Sequence, residues 1–220
     1  MTIISIDFSI LYPGICICRD FKEFKWLSVV NTKLRKVDQT NLNYLLGKYP
    51  NIKIDKTTTI RKTHPEYHVT ERVKLINYQE LISKIVDNIL LEVREDEEVM
   101  VAIEGISFGS KGNSLVDISQ STGILKHELL TRVLKNNADR LFIFSPSELK
   151  NAIGCKGNAN KMDILNQFKS DPQIEALRES ALYKAVHTES WIVNGDKIVS
   201  PIIDMVDSVL GIIKIYNLSK

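Results

Sequence analysis

Two short apolar runs in this chain each end in a carboxylate: Ile3-Ile4-Ser5-Ile6 leads to Asp7, and Val99-Met100-Val101-Ala102-Ile103 leads to Glu104. Runs of this length and β-branched content suit buried strands. An unpaired charge there costs several kcal/mol, so both acids need a cation or a ligand at the strand ends. A second acidic pair, Asp204 and Asp207, precedes the apolar run Val209, Leu210, Ile212, Ile213. On a helix, three residues turn through about 300°, which places both side chains on one face. Four acids from three elements can thus converge at one sheet edge, where their repulsion calls for a divalent ion. Oxygen ligands without His or Cys select Mg²⁺, or Mn²⁺ in its place, and two such ions form the clamp used for phosphodiester displacement. Taken singly, Asp7 could cap a turn, Glu104 could pair with a lysine, and Asp204 and Asp207 could be a solvated helix face.

The rest of the chain supplies an α/β framework with a mixed central sheet. Ile3–Ile6 and Ile15–Cys18 read as a hairpin turning at Tyr12-Pro13-Gly14, with Pro at i+1 and Gly at i+2. Leu75, Ile76, Leu81, Ile82, Ile85, Val86, Ile89 and Leu90 recur at helical spacing, with a possible capping box from Asn77 to Glu80. A polar loop at Ser107–Ser114 precedes a helix over Leu115–Leu134, and Leu141–Phe144 is a further strand. Ser145-Pro146-Ser147-Glu148 opens a short helix that Gly154 closes. The loop from Cys155 to Lys161 follows, Asn194-Gly195 predicts a type I′ hairpin, and Ser200-Pro201 starts the last helix.

Net charge is only +2, but it is unevenly spread: Arg19 to Lys74 holds 13 basic and six acidic residues, leaving 16 basic against 21 acidic elsewhere. Lys33 to Lys62 alone has eight basic residues against Asp38 and Asp55, a polyanion-facing arm or a solvated insertion. In the loop, Lys156, Asn158 and Lys161 suit phosphate oxygens and no particular base. Neither Gly109-Ser110-Lys111-Gly112 nor residues 154–161 fit a P-loop. Three cysteines without a CxxC pair, and histidines 64, 68, 127 and 187 without ligand spacing, argue against zinc. The apolar N-terminus lacks a basic leader and contains Asp7 and Pro13, so a cytoplasmic protein with no membrane step is expected.

Five collinear stretches, Ile3–Asp7, Val101–Glu104 with Ser107-Phe108, Ser119–Gly123, Ser145–Lys150 running into Gly154–Lys161, and Asp204–Ser208, resemble the RuvC Holliday junction resolvases. The resemblance spans nearly the whole chain. It implies a ribonuclease H-like fold, a homodimer, and Mg²⁺-dependent nicking of a four-way DNA junction. It further implies that Asp7, Glu104, Asp204 and Asp207 bind metal, that Lys150, Lys156 and Lys161 lie along the DNA with one near the scissile phosphate, and that Phe108 and the following loop, with Lys111, approach the junction centre. Two stretches, near 31–70 and 162–200, exceed the bacterial pattern and look closer to divergent phage or viral relatives.

The expectation is therefore a single nuclease domain over 1–220, with Asp7, Glu104 and Asp207 as principal ligands, Asp204 in support, and branched DNA as substrate. The competing expectations are a related nuclease acting on flap, hybrid or packaging DNA, and a non-catalytic junction-binding protein. The chain is too short for the paired domains of an actin-like ATPase.

Overall fold

The computed structural model describes residues 1–58, 64–106, 112–195 and 197–220. Strands β1 (Thr2–Asp7), β2 (Gly14–Arg19) and β3 (Glu23–Val30) form an antiparallel meander, and helix α1 (Lys36–Lys48) returns the chain to β4 (Ile52–Lys56), parallel to β3. Helix α2 (Tyr67–Leu90) leads to β5 (Val99–Glu104), parallel to β1. Helix α3 (Asn113–Glu128), extended by one π-helical turn at Leu129–Val133, leads to β6 (Leu141–Phe144), parallel to β5. The mixed six-stranded sheet runs β4-β3-β2-β1-β5-β6. Helices α4 (Pro146–Ala152), α5 (Lys161–Ser170) and α6 (Ala181–Thr188), the ribbon β7 (Val193–Asn194) and β8 (Lys197–Ile198), and α7 (Ile202–Leu218) complete the chain.

Alternation along the strands divides the core between the two sheet faces. Ile3, Cys16 and Cys18 point toward α4, α5, α6 and α7, while Ile4, Ile6, Ile15 and Ile17 point toward α2 and α3. Helix α7 is so apolar because it crosses β1 and β2 under the other helices, burying Val206, Val209, Leu210, Ile212 and Ile213. Such burial contributes about 1.5–3 kcal/mol for each large side chain.

Several local expectations are met and several corrected. Ser145 and Glu148 form the reciprocal capping box of α4. Gly154, at φ +87°, ends the helix in a Schellman arrangement: its N–H donates to Asn151 O, and Cys155 N–H donates to Lys150 O. Gly14, in contrast, is no turn residue, because it is the first residue of β2 and pairs with Asp7 across a six-residue connection. Asn77 caps nothing. It lies buried inside α2, exchanging amide hydrogen bonds with Asn31 at the end of β3. Leu75 and Ile76, placed on the apolar face by spacing, are exposed. Asn194 pairs with Lys197, so the β7–β8 turn begins one residue later, at Gly195 (φ +59°). Lys161 is the first residue of α5 rather than a loop residue, capped by Asn160.

Candidate active site

Parallel pairing of β1 with β5 aligns Ile6 with Ile103, so Asp7 and Glu104 leave the sheet side by side at the same end. Helix α7 brings the other two acids. Its approach to the sheet depends on two glycines: a Cβ on Gly14 would fall 1.8 Å from the carbonyl oxygen of Asp204, and one on Gly211 would fall 2.2 Å from Ser5 Oγ. With no side chain at either position, the helix backbone rests on β1 and β2. The first turns of α7 then carry Asp204 and Asp207 against Asp7.

Asp7, Asp204 and Asp207 each present a carboxylate oxygen within 4.8 Å of the others. Glu104 stands outside this tight set, but its charge reaches both Asp7 and Asp207. The side chains of Asp204 and Asp207 are only 7% and 11% exposed. Burial, reinforced by Asp207, Glu104 and Asp204, pushes the Asp7 carboxyl well above the usual carboxylate range. Burial likewise pushes Asp207 up to about 7, opposed by Lys161 and reinforced by Asp204 and Glu104. Such a crowd of carboxylates needs positive charge.

Part of that charge is already present. Lys161 Nζ donates to Asp204 Oδ1 at 2.8 Å and lies 3.4 Å from Asp207 Oδ2. Burial disfavours its ammonium, but Asp204 and then Asp207 outweigh that and hold it well above the lysine range. One ammonium does not complete the site, because Asp204 Oδ2 and Asp207 Oδ1 are buried with no hydrogen-bond partner. A buried, unsatisfied carboxylate oxygen costs more than a neutral acceptor would. An all-oxygen set with two buried, unsatisfied oxygens fits a hard divalent cation. Among the described residues no His or Cys joins the cluster.

The remaining candidates are placed differently. Lys156 and Asn158 are exposed on the loop before α5, whose first residue is Lys161. Lys150 Nζ is tied to the carbonyl of Ala159 at 2.8 Å, so it braces this loop from within. Phe108 and Lys111 lie outside the described residues. In the basic segment, where Arg61 and Lys62 also lie outside them, most charges have partners in the protein: Arg35 binds Asp38, Lys48 binds Glu189, Lys53 binds Asn88, and Lys56 binds Gln39. The segment builds α1 and β4. Spacing did not reveal the two packing glycines or the Lys161 contact with the acids.

No family model and no curated protein matches the chain. Among solved structures it is similar to RuvC of Thermus thermophilus, with a TM-score of 0.50 and 13% identity over 100% of this chain and 97% of that one. It is also similar to T. thermophilus RuvC in complex with Holliday junction substrate, with a TM-score of 0.47 and 14% identity over 100% and 96%. The first likeness establishes a RuvC-like, ribonuclease H-type fold for this chain. No helix among the described residues is long and apolar enough to cross a membrane.

Proposed function

We propose that this chain is a metal-dependent endonuclease that nicks branched DNA, four-way junctions foremost. The observation that carries this reading is the cluster of Asp7, Asp204 and Asp207, with two buried carboxylate oxygens left unsatisfied on the end of a RuvC-like sheet. These three acids, with Glu104 beside them, would hold Mg²⁺ or Mn²⁺, two ions per site. When bound, the ions supply activation of the attacking water and neutralisation of the departing 3′ oxygen.

The protein's own groups do the positioning. Two strand ends and one helix fix the acids, so little reorganisation accompanies the reaction. Lys161 is half exposed, at 55%, with its ammonium at the rim of the carboxylates, where it meets a phosphate oxygen as the strand arrives. Lys156 and Asn158 continue that path across the preceding loop, which Lys150 holds in shape. Phe108 and Lys111 keep their proposed junction contacts from the family resemblance alone.

Symmetric nicking calls for a homodimer. Exposed Leu75, Ile76 and Val116 support one, since they flank the α2–α3 crossing where Lys74 Nζ meets Asp117 Oδ1 at 3.1 Å.

The test is cleavage of an end-labelled immobile four-way junction, with flap and matched-duplex controls, in Mg²⁺ and in EDTA. Paired, Mg²⁺-dependent nicks near the branch are expected. Cleavage of flaps alone would replace the junction assignment, and absence of metal-dependent nicking on every substrate would end the nuclease reading.

A further inference from the structure

A groove of about 840 Å³, lined by none of the four acids, is not used by the proposed chemistry. One wall is the segment entering α1, with Lys33 and Arg35. The other is the stretch around β7 and β8, with Trp191 and Asn194, and Tyr12 closes one end. Both walls come from the two stretches that exceed the bacterial RuvC pattern.

The groove adjoins the acids through the backbone. Ser200, in its lining, immediately precedes Pro201 and α7, while Tyr12 lies two residues before Gly14, which packs on Asp204. The fields of Asp38 and Asp204 both reach the Tyr12 phenol and, after burial, raise it above its ordinary range.

The lining has the chemistry of a base and its phosphate. Tyr12 and Trp191 add two aromatic rings to the lining, the side-chain type on which bases stack. Arg35 is held by Asp38 through two hydrogen bonds, of 2.7 and 2.9 Å, which fix its guanidinium in the lining. Lys33 is exposed and forms no ion pair among the described residues, leaving its charge for a phosphate. Asn194 supplies an amide that can meet a base edge. The volume falls within the range of about 300–1,000 Å³ usual for small-ligand sites, room for a nucleotide or two but not for a duplex.

We propose that this groove is a subsite for unpaired nucleotides of the strand bound at the carboxylates, and that it favours branched over fully paired DNA. The inference rests on the nuclease reading above and adds the source of structure selectivity. A base entering the groove must leave its stack, which costs a few kcal/mol in a matched duplex and least where the base is already unpaired. Branch points and flaps thus gain the stacking contact that a duplex must offset.

The chain contains two tryptophans, and this provides the probe. Trp26 is fully buried in the core, whereas Trp191 lines the groove. In a Trp26→Phe background, binding of a junction and of a single-strand-tailed duplex is followed by anisotropy of the labelled DNA and by Trp191 emission, in EDTA to prevent cleavage. Quenching of Trp191 should track binding of both branched substrates and be absent with matched duplex. Independently, Lys33→Ala and Trp191→Leu in the otherwise unaltered protein should each weaken branched-DNA binding at least fivefold while changing duplex affinity less than twofold. If anisotropy reports branched-DNA binding while Trp191 stays silent, or if both substitutions weaken duplex equally, the subsite is refuted and the nuclease reading stands. If no DNA binds at all, both readings fall.

Discussion

Asp7 and Asp207 carry charge that the metal-free fold opposes, and this separates what they do for chemistry from what they do for stability. An unfolded aspartate ionises near 3.8, whereas folded Asp207 ionises only near 7. A raised carboxyl contributes stability at low pH and loses it as pH climbs through the folded value, so above pH 7 the ionised group works against folding. Asp7→Asn and Asp207→Asn should therefore abolish nicking, by about a thousandfold or more, yet raise metal-free stability at pH 8 by on the order of 1 kcal/mol. Thermal unfolding in EDTA beside a nicking assay checks this; unfolding at lower temperature in both variants would mean the carboxylates are paid for elsewhere. Asp204 is as buried as its neighbours and also has an unsatisfied oxygen, so Asp204→Asn should match the other two in lost turnover. Lys161→Ala has the opposite signature. It leaves three acids within 4.8 Å without their ammonium, which should cost about 1–2 kcal/mol without metal. Saturating Mg²⁺ should recover most of that loss in a melting experiment, and an Mg²⁺-insensitive deficit would assign Lys161 a purely structural part.

Among the elements, α7 governs the site through its distance from β1 and β2. Gly14→Ala would place a methyl group in the Asp204 carbonyl, and backbone on both sides leaves only movement of the helix. Overpacking of this kind costs about 1–3 kcal/mol, and a displacement near 1 Å at reacting groups can cost on the order of a hundredfold in rate. Gly14→Ala should thus lower both the unfolding midpoint and turnover, whereas Gly47→Ala, which meets nothing, should lower neither. An active, stable Gly14→Ala protein would show that α7 is free to shift. This contact also marks where sequence reading stops. Strands β1, β2, β5 and β6 and the α4 capping box were legible because apolar runs and caps are local signals. Pro13-Gly14 looks the same whether glycine serves a turn or a close approach, and only the partner helix, far along the chain, decides. Strand β4 escaped because Ile52-Lys53-Ile54-Asp55-Lys56 has the charges of an edge strand, which in sequence resemble a solvated segment. The acids were legible as a set; their tight grouping without Glu104, and the bond to Lys161, depended on tertiary packing.

For the molecule as a whole, acid resistance depends partly on Glu97, which ties the turn before β5 to the far end of β2. Arg19 Nε donates to its Oε1 at 2.8 Å, and this pairing pulls the Glu97 carboxyl down to about 2. A lowered carboxyl contributes stability above its unfolded value, and that contribution disappears as pH falls from about 4.5 toward 2. Glu97→Gln should cost about 1 kcal/mol in urea unfolding at pH 7 and almost nothing near pH 2; a pH-independent cost would point to packing in place of charge. The order in which the chain contributes its acids has a kinetic consequence. Asp7 belongs to the first strand, and Asp204 and Asp207 follow about 200 residues later on the last helix. Contacts of such long sequence separation form slowly because loop closure precedes their reward. During synthesis the first strands are therefore made while the site is still incomplete, and the clustered acids come together only when α7 docks. A nascent or clipped chain lacking α7 keeps Asp7 and Glu104 but loses two of the three clustered acids, and with them the centre on which the proposed nuclease activity depends.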